Sequence, residues 1–257
     1  MNKTIKTVII IAVVIIIIGI IMCSIALFTG GRGVLEHYGT YIRWGSPEYQ
    51  QREYTFDPST VNRLEVSAVA DDVYLHLNTG SDEIKVSCTD SQYYQYNVAV
   101  SGDTLLVDYN ENIVVDSLFE RGFFWSDEGR VDIWLPESFL LEGDITLDSV
   151  SGDVVMEQLD GAQLAANTVS GNIEIRRCAF TEMSLETVSG DIEGTLLGNR
   201  GDYHIEYESL SGDVEINGPS GLGSGQREIR LNTVSGDIEL DFAASFIEAL
   251  TRLAPAA

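Results

Sequence analysis

The tripeptide Ser-Gly-Asp, or Ser-Gly-Asn, begins at Ser151, Ser170, Ser189, Ser211 and Ser235, in steps of 19, 19, 22 and 24 residues. A regular period of this size marks stacked units, each too small to bury its own apolar face. Aligning the copies on the serine assigns a role to every slot. Six residues before it stand Ile145, Leu164, Met183, Ile205 and Ile229; four before stand Leu147, Ala166, Leu185, Tyr207 and Leu231. Three after stand Val154, Ile173, Ile192, Val214 and Ile238; five after stand Met156, Ile175, Gly194, Ile216 and Leu240. Each unit is therefore a strand facing the core with period 2, a corner, and a second strand facing the core again.

The corner has its own pattern. Two residues before the serine stand Ser149, Thr168, Thr187, Ser209 and Thr233, all hydroxyls. One before stand Val150, Val169, Val188, Leu210 and Val234, all apolar. Adjacent strand residues face opposite ways, so the pattern predicts a bend or bulge that turns the apolar residue inward. Glycine is expected for the positive φ of a tight corner, with Asp or Asn bonding the local backbone.

Two folds satisfy this pattern. In a β-solenoid each unit is one coil and matched residues become ladders about 4.8 Å apart. In an antiparallel β-sandwich each Ser-Gly-Asp is a hairpin loop. Register across five copies favours the solenoid. A degenerate copy stands upstream in Leu64, Val66, Val69, Asp72, Val73 and Leu75, making residues 56–140 a less regular first layer of the same body.

A catalytic serine is needed once, in one environment, so five equivalent copies argue for a structural corner. No histidine repeats beside them; His204 alone lies in the repeat region, and with His37 and His76 it forms no metal-ligand spacing. The second strand's outer face carries two acidic columns: Asp153, Asn172, Asp191, Asp213 and Asp237, then Val155, Glu174, Glu193, Glu215 and Glu239. Stacked like charges repel. Water, salt, Arg176, Arg230 or a divalent cation would offset this, and a solvated acidic face competes with weak cation binding there. Titrating calcium against thermal unfolding separates the two. No further metal site, catalytic residue or cofactor is expected. Gly221–Gly225 lacks the Lys-Ser/Thr of a phosphate loop and is expected to be a flexible insertion. Phe123, Phe124 and Trp125 form either a recognition patch or a plug under the first layer.

The N-terminal region places the chain. Val8–Phe28 is 21 residues without a charge, enough for one membrane-spanning helix. Lys3 and Lys6 precede it and no acid appears before Glu36, so the N-terminus is expected in the cytoplasm and the rest outside. The expected division is a cytoplasmic tip and span over 1–29, a juxtamembrane aromatic segment over 30–55, the β-repeat domain over 56–242, and a capping helix and tail over 243–257. That last segment carries Phe246, Leu250 and Leu253 at helical spacing after Phe242, with Pro255 to end it. With 40 acidic and 15 basic residues the formal charge is -25, which disfavours nucleic acid. Cys88 falls in phase with Ile84 and Val86 as a core residue; it pairs with Cys178 or both stay unpaired.

The span, the strand LEVSAVADDVYLHL, VDIWLP at Val131–Pro136 and the repeated TVSGDIEL together resemble the bacterial putative-adhesin family. Its β-strand repeat module is a domain of unknown function sometimes called toastrack. The resemblance covers about residues 56–242. It implies a β-helical fold at the cell envelope and an association with envelope-stress sensing. The family supplies no agreed catalytic residues, and none are carried over. The expected function is non-enzymatic: binding of an envelope protein or surface polymer, adhesion or stress sensing. The alternative is a carbohydrate-active β-helix enzyme. Cleaving acidic polymers usually calls for basic residues, and Lys85 is the only lysine beyond the span.

Overall fold

The structure, a computed structural model, describes residues 50–90, 95–109, 129–218 and 225–243. The apolar run Val8–Phe28, the juxtamembrane residues through 49, Phe123–Trp125, Gly221–Ser224 and residues 244–257 lie outside the described residues. Among the described residues no helix is long and apolar enough to cross a membrane.

Those residues form sixteen strands. In chain order they are β1 (Gln50–Phe56), β2 (Arg63–Ser67), β3 (Asp72–Leu77), β4 (Ile84–Asp90), β5 (Tyr96–Ser101), β6 (Thr104–Tyr109), β7 (Arg130–Leu135) and β8 (Asp144–Asp148). They continue as β9 (Val154–Glu157), β10 (Asp160–Thr168), β11 (Ile173–Thr187), β12 (Ile192–Leu197), β13 (Tyr203–Ser209), β14 (Val214–Ile216), β15 (Arg227–Thr233) and β16 (Ile238–Ala243). One helical turn, α1 (Glu137–Leu140), precedes β8.

Each Ser-Gly-Asp copy joins a strand of one face to a strand of the other. The first face runs β5-β6-β2-β8-β10-β11-β15-β13 and the second β1-β4-β7-β3-β9-β11-β12-β16-β14. β11 serves both. Its residues through Cys178 pair with β9 and β12, and those from Glu182 onward pair with β15. The bend is at Arg177, whose φ is 60°, and Gln158 takes the same turn one rung earlier with φ 57°. Every pairing between repeat strands is parallel, and apart from a one-residue shift between β11 and β12 at the Arg177 bend the copies stay in register, as in Leu164 against Ile145 and Met183. That excludes the antiparallel sandwich. Among the described residues antiparallel pairing is confined to one end, where β4 joins β1 to β7 and β5 borders β6.

The register makes the core. Ile145, Leu164, Met183 and Ile229 form one buried column; Leu147, Ala166, Leu185 and Leu231 form the next. Facing them, Val154, Ile173, Ile192 and Ile238 are no more than 1% exposed. Fully burying one such side chain contributes about 1.5–3 kcal/mol, and the stack repeats that gain rung after rung. β2 and β3 join as a sixth rung, with Val73 and Leu75 beside Val154 and Met156.

The rungs do not follow chain order throughout. β15 lies between β11 and β13, and β16 between β12 and β14. The fifth repeat in sequence is thus the fourth in space, and β13–β14 is the outermost rung. The longer final steps of 22 and 24 residues carry the chain out and back.

Cys88 and Cys178 are both buried and unbridged. Burial pushes the Cys88 thiol up to about 12 and the Cys178 thiol up to about 11. At pH 8 a thiol reagent is expected to leave both unmodified in the folded protein and to modify both in denaturant. Peptide mass mapping reads this, and modification of either residue under native conditions would contradict the buried placement.

Candidate functional site

The stacked corners are where the repeated chemistry lies, and they are built from three ladders. The first is the hydroxyl column, which points inward. Ser149, Thr168, Thr187 and Thr233 are at most 7% exposed. Each of the first three accepts a hydrogen bond from the glycine N–H of its own corner: Gly152 to Ser149, Gly171 to Thr168 and Gly190 to Thr187, at 3.0–3.1 Å. The hydroxyl also donates across the stack. Thr187 donates to the Gly171 carbonyl at 3.2 Å, Thr233 to Gly190 at 3.3 Å and Ser209 to Gly236 at 3.3 Å.

The apolar slot therefore points outward, opposite to the inward bend expected from the sequence. Val150 and Val169 are 47% exposed, Val188 40% and Leu210 61%. The reason is that two buried backbone groups per corner need a partner, and a hydroxyl meets that need where valine cannot. The backbone of the valine slot is also used. The N–H groups of Ser151, Ser170, Ser189, Ser235 and Ser211 donate to the carbonyls of Val69, Val150, Val169, Val188 and Val234.

The second ladder is glycine on glycine. A Cβ on Gly171 would lie 2.1 Å from the Gly152 carbonyl oxygen, one on Gly190 1.8 Å from that of Gly171, and one on Gly236 2.0 Å from that of Gly190. None of the five corner glycines has positive φ, which corrects the expectation of a left-handed corner. Glycine stands there because consecutive backbones touch. At the head of the column Asp71 occupies the glycine slot, and its side chain accepts from the Tyr96 hydroxyl at 2.8 Å.

The third ladder is the first acidic column. Asp72 Oδ1 accepts the N–H of Asp153, Asp153 that of Asn172, Asn172 that of Asp191, Asp191 that of Asp237, and Asp237 that of Asp213, all at 2.7–2.9 Å. Backbone amides thus offset the stacked carboxylates. A neutral acceptor also serves, as Asn172 does. Asp191→Asn is accordingly expected to be near neutral, and Asp191→Ala to cost about 1 kcal/mol, read as shifts in the urea midpoint.

The second acidic column is less engaged. Glu193 lies in register between Glu174 and Glu239, and Glu239 beside Glu215. Glu174 accepts from Nε and Nη2 of Arg176 at 2.6 and 2.7 Å, which lowers its carboxyl below the usual range. Among the described residues no group of three or more His, Cys, Asp and Glu side chains is arranged to hold a metal ion.

A second cluster was not foreseen from the sequence. On the outer side of the second face, His76 pairs in register with Trp134 and stacks on it at 5.5 Å. Its Nε2 lies 2.9 Å from Asp132 and its Nδ1 3.6 Å from Glu157. Arg130 makes two 2.6 Å bonds to Asp132 and lies 3.7 Å over the Tyr74 ring. The alternation in VYLHL and VDIWL carried the signal, but only the β3–β7 register brings the two strands together. These groups satisfy one another. His204, the other described histidine, is exposed beside Glu206 at 3.5 Å.

A family model described as Toastrack DUF4097 matches residues 61–245. Among solved structures the chain is similar to a putative cell adhesion protein from Clostridium sporogenes, at 12% identity and a TM-score of 0.53, over 77% of this chain and 100% of that one. It is also similar to a putative adhesin from Bacteroides fragilis, at 14% identity and a TM-score of 0.35, over 76% and 98%. The first likeness is one of fold alone. No protein of curated function matches the chain.

Proposed function

From the premise that this chain belongs to the Toastrack DUF4097 family, we propose that it is a non-enzymatic binding module of the cell envelope. In this reading Val8–Phe28 tethers it to the membrane, the β-stack stands outside, and it adheres to a surface polymer or envelope protein or reports envelope stress. One observation carries the reading. The corner's buried hydroxyls, glycines and Asp or Asn Oδ1 atoms are consumed by bonds that hold rung to rung. What the repeat leaves toward solvent is an apolar ridge of exposed Val150, Val169, Val188 and Leu210, extended by half-buried Val69 and Val234 and flanked by exposed serines. Six rungs at about 4.8 Å make it roughly 24 Å long. Contiguous exposed apolar surface of this kind marks interaction sites.

The test uses the full chain incubated with cell-envelope fractions. Retention without release of product is expected, and Val169→Glu with Val188→Glu should abolish it while leaving the urea midpoint nearly unchanged. Release of soluble sugar fragments would instead establish an enzyme. Separately, protease added to intact cells is expected to digest the β-domain, and full protection would contradict the outward orientation.

A further inference from the structure

We propose that the C-terminal segment 244–257 folds back over the open β13–β14 end of the stack and closes the core there. The end is visibly incomplete. In the rung beneath it Ile229, Leu231, Ile238 and Leu240 are at most 1% exposed. Their column-mates Ile205, Val214 and Ile216 in the outermost rung are only half-buried, and Tyr207 is 52% exposed. Among the described residues β13 pairs only with β15 and β14 only with β16, so this end of the core leaves apolar surface and strand edges that no described element covers.

The chain supplies a cover at the right place. β16 is the direct neighbour of β14, with Val214 opposite Ile238 and Ile216 opposite Leu240. The last described residues thus leave the stack one rung beneath the open end. Phe242 already leans that way, its ring 5.6 Å from Tyr203 of the outermost rung. Fourteen residues follow Ala243. Eleven of them as a helix would span about 16 Å, close to the ~17–20 Å of a five- to six-residue strand. Phe246, Ile247, Leu250 and Leu253 fall on one side of such a helix, with Ser245, Glu248, Thr251 and Arg252 on the other.

Charge separates this occupant from a second copy. The edge strand β13 carries exposed Glu206 and Glu208, the corner that follows carries Asp213, and the edge strand β14 carries Glu215. Two such edges brought together would oppose like charges. The segment from 244 onward holds one acid and one base and meets the edge without that repulsion.

The experiment compares hydrogen exchange in the full chain and in the double variant Phe246→Asp, Leu250→Asp. Peptides spanning 203–216 are expected to exchange at least ten-fold faster in the variant, while peptides spanning 160–187 stay unchanged. Equal exchange over 203–216 in both proteins would overturn the proposal. So would protection that grows with protein concentration in the native chain, since that identifies a second copy as the cover. Where the variant loses protection everywhere, the otherwise native chain carrying Tyr207→Cys and Leu250→Cys decides. A bridge within one chain under mild oxidation supports the cap, and its absence overturns it.

Discussion

Gly190→Ala is expected to cost on the order of 4 kcal/mol, a large share of the roughly 5–15 kcal/mol that holds a domain folded. The added methyl would sit 1.8 Å from the Gly171 carbonyl oxygen and 2.9 Å from Thr187 Oγ1. The first contact is backbone on backbone, so no rotamer change relieves it. Relief requires prising two rungs apart, and that breaks the Ser189 N–H bond to Val169 and the Thr187 bond to Gly171 together. Ser189→Ala, one residue away, removes an exposed hydroxyl and is expected within about 0.5 kcal/mol of the parent. Urea midpoints for the pair make the comparison. A stable Gly190→Ala protein, or a Ser189→Ala protein that loses several kcal/mol, would contradict the stacked corner. The most conspicuous residue of the repeat is thereby expected to matter least.

Thr187→Val is the second large effect, at about 2–4 kcal/mol. The substitution keeps shape and removes the oxygen that accepts from Gly190 N–H at 3.0 Å and donates to Gly171 at 3.2 Å. Thr187 is 4% exposed, so water does not replace either bond. Thr187→Ser keeps both bonds and loses only a methyl, about 1 kcal/mol; Ser149 and Ser209 hold the same slot in other rungs. Thermal unfolding should order the three proteins as parent, serine, valine. If valine matched serine, the hydroxyl ladder would contribute nothing beyond packing.

How far the sequence reaches can be seen residue by residue. The columns through Leu164 and Ile173 were legible because a period-2 pattern repeated in register admits one buried face per strand. The variant head of the stack was legible too, since Val69, Asp72 and Val73 keep their slots while Asp71 replaces glycine. The direction of Val169 was not. Adjacency says that Thr168 and Val169 face opposite ways, but which one goes in depends on the buried Gly171 amide, a partner set by the corner's three-dimensional path. The reason for Gly190 was equally hidden. A left-handed turn and a close approach both demand glycine, and only the neighbouring rung distinguishes them. The opposite corners at Gln158 and Arg177 take positive φ without glycine and gave no signal. Of the foreseen acidic columns, Asp191 proved to be a backbone acceptor because its carboxylate sits one rung from the Asp237 amide.

The exchanged order of the last two rungs bears on how the chain can acquire its shape. A ribosome delivers β13–β14 before β15–β16, yet the earlier pair rests on the later one. Growth by simple addition stops after β12, and everything beyond Leu197 must condense in one late event once Ala243 has emerged. A nascent chain arrested near residue 225 would hold a layer with nothing to lie on, its strand edges bare to any passing neighbour. Premature termination in this stretch should therefore yield aggregates and proteolytic fragments ending near Leu197, never a protein one layer shorter.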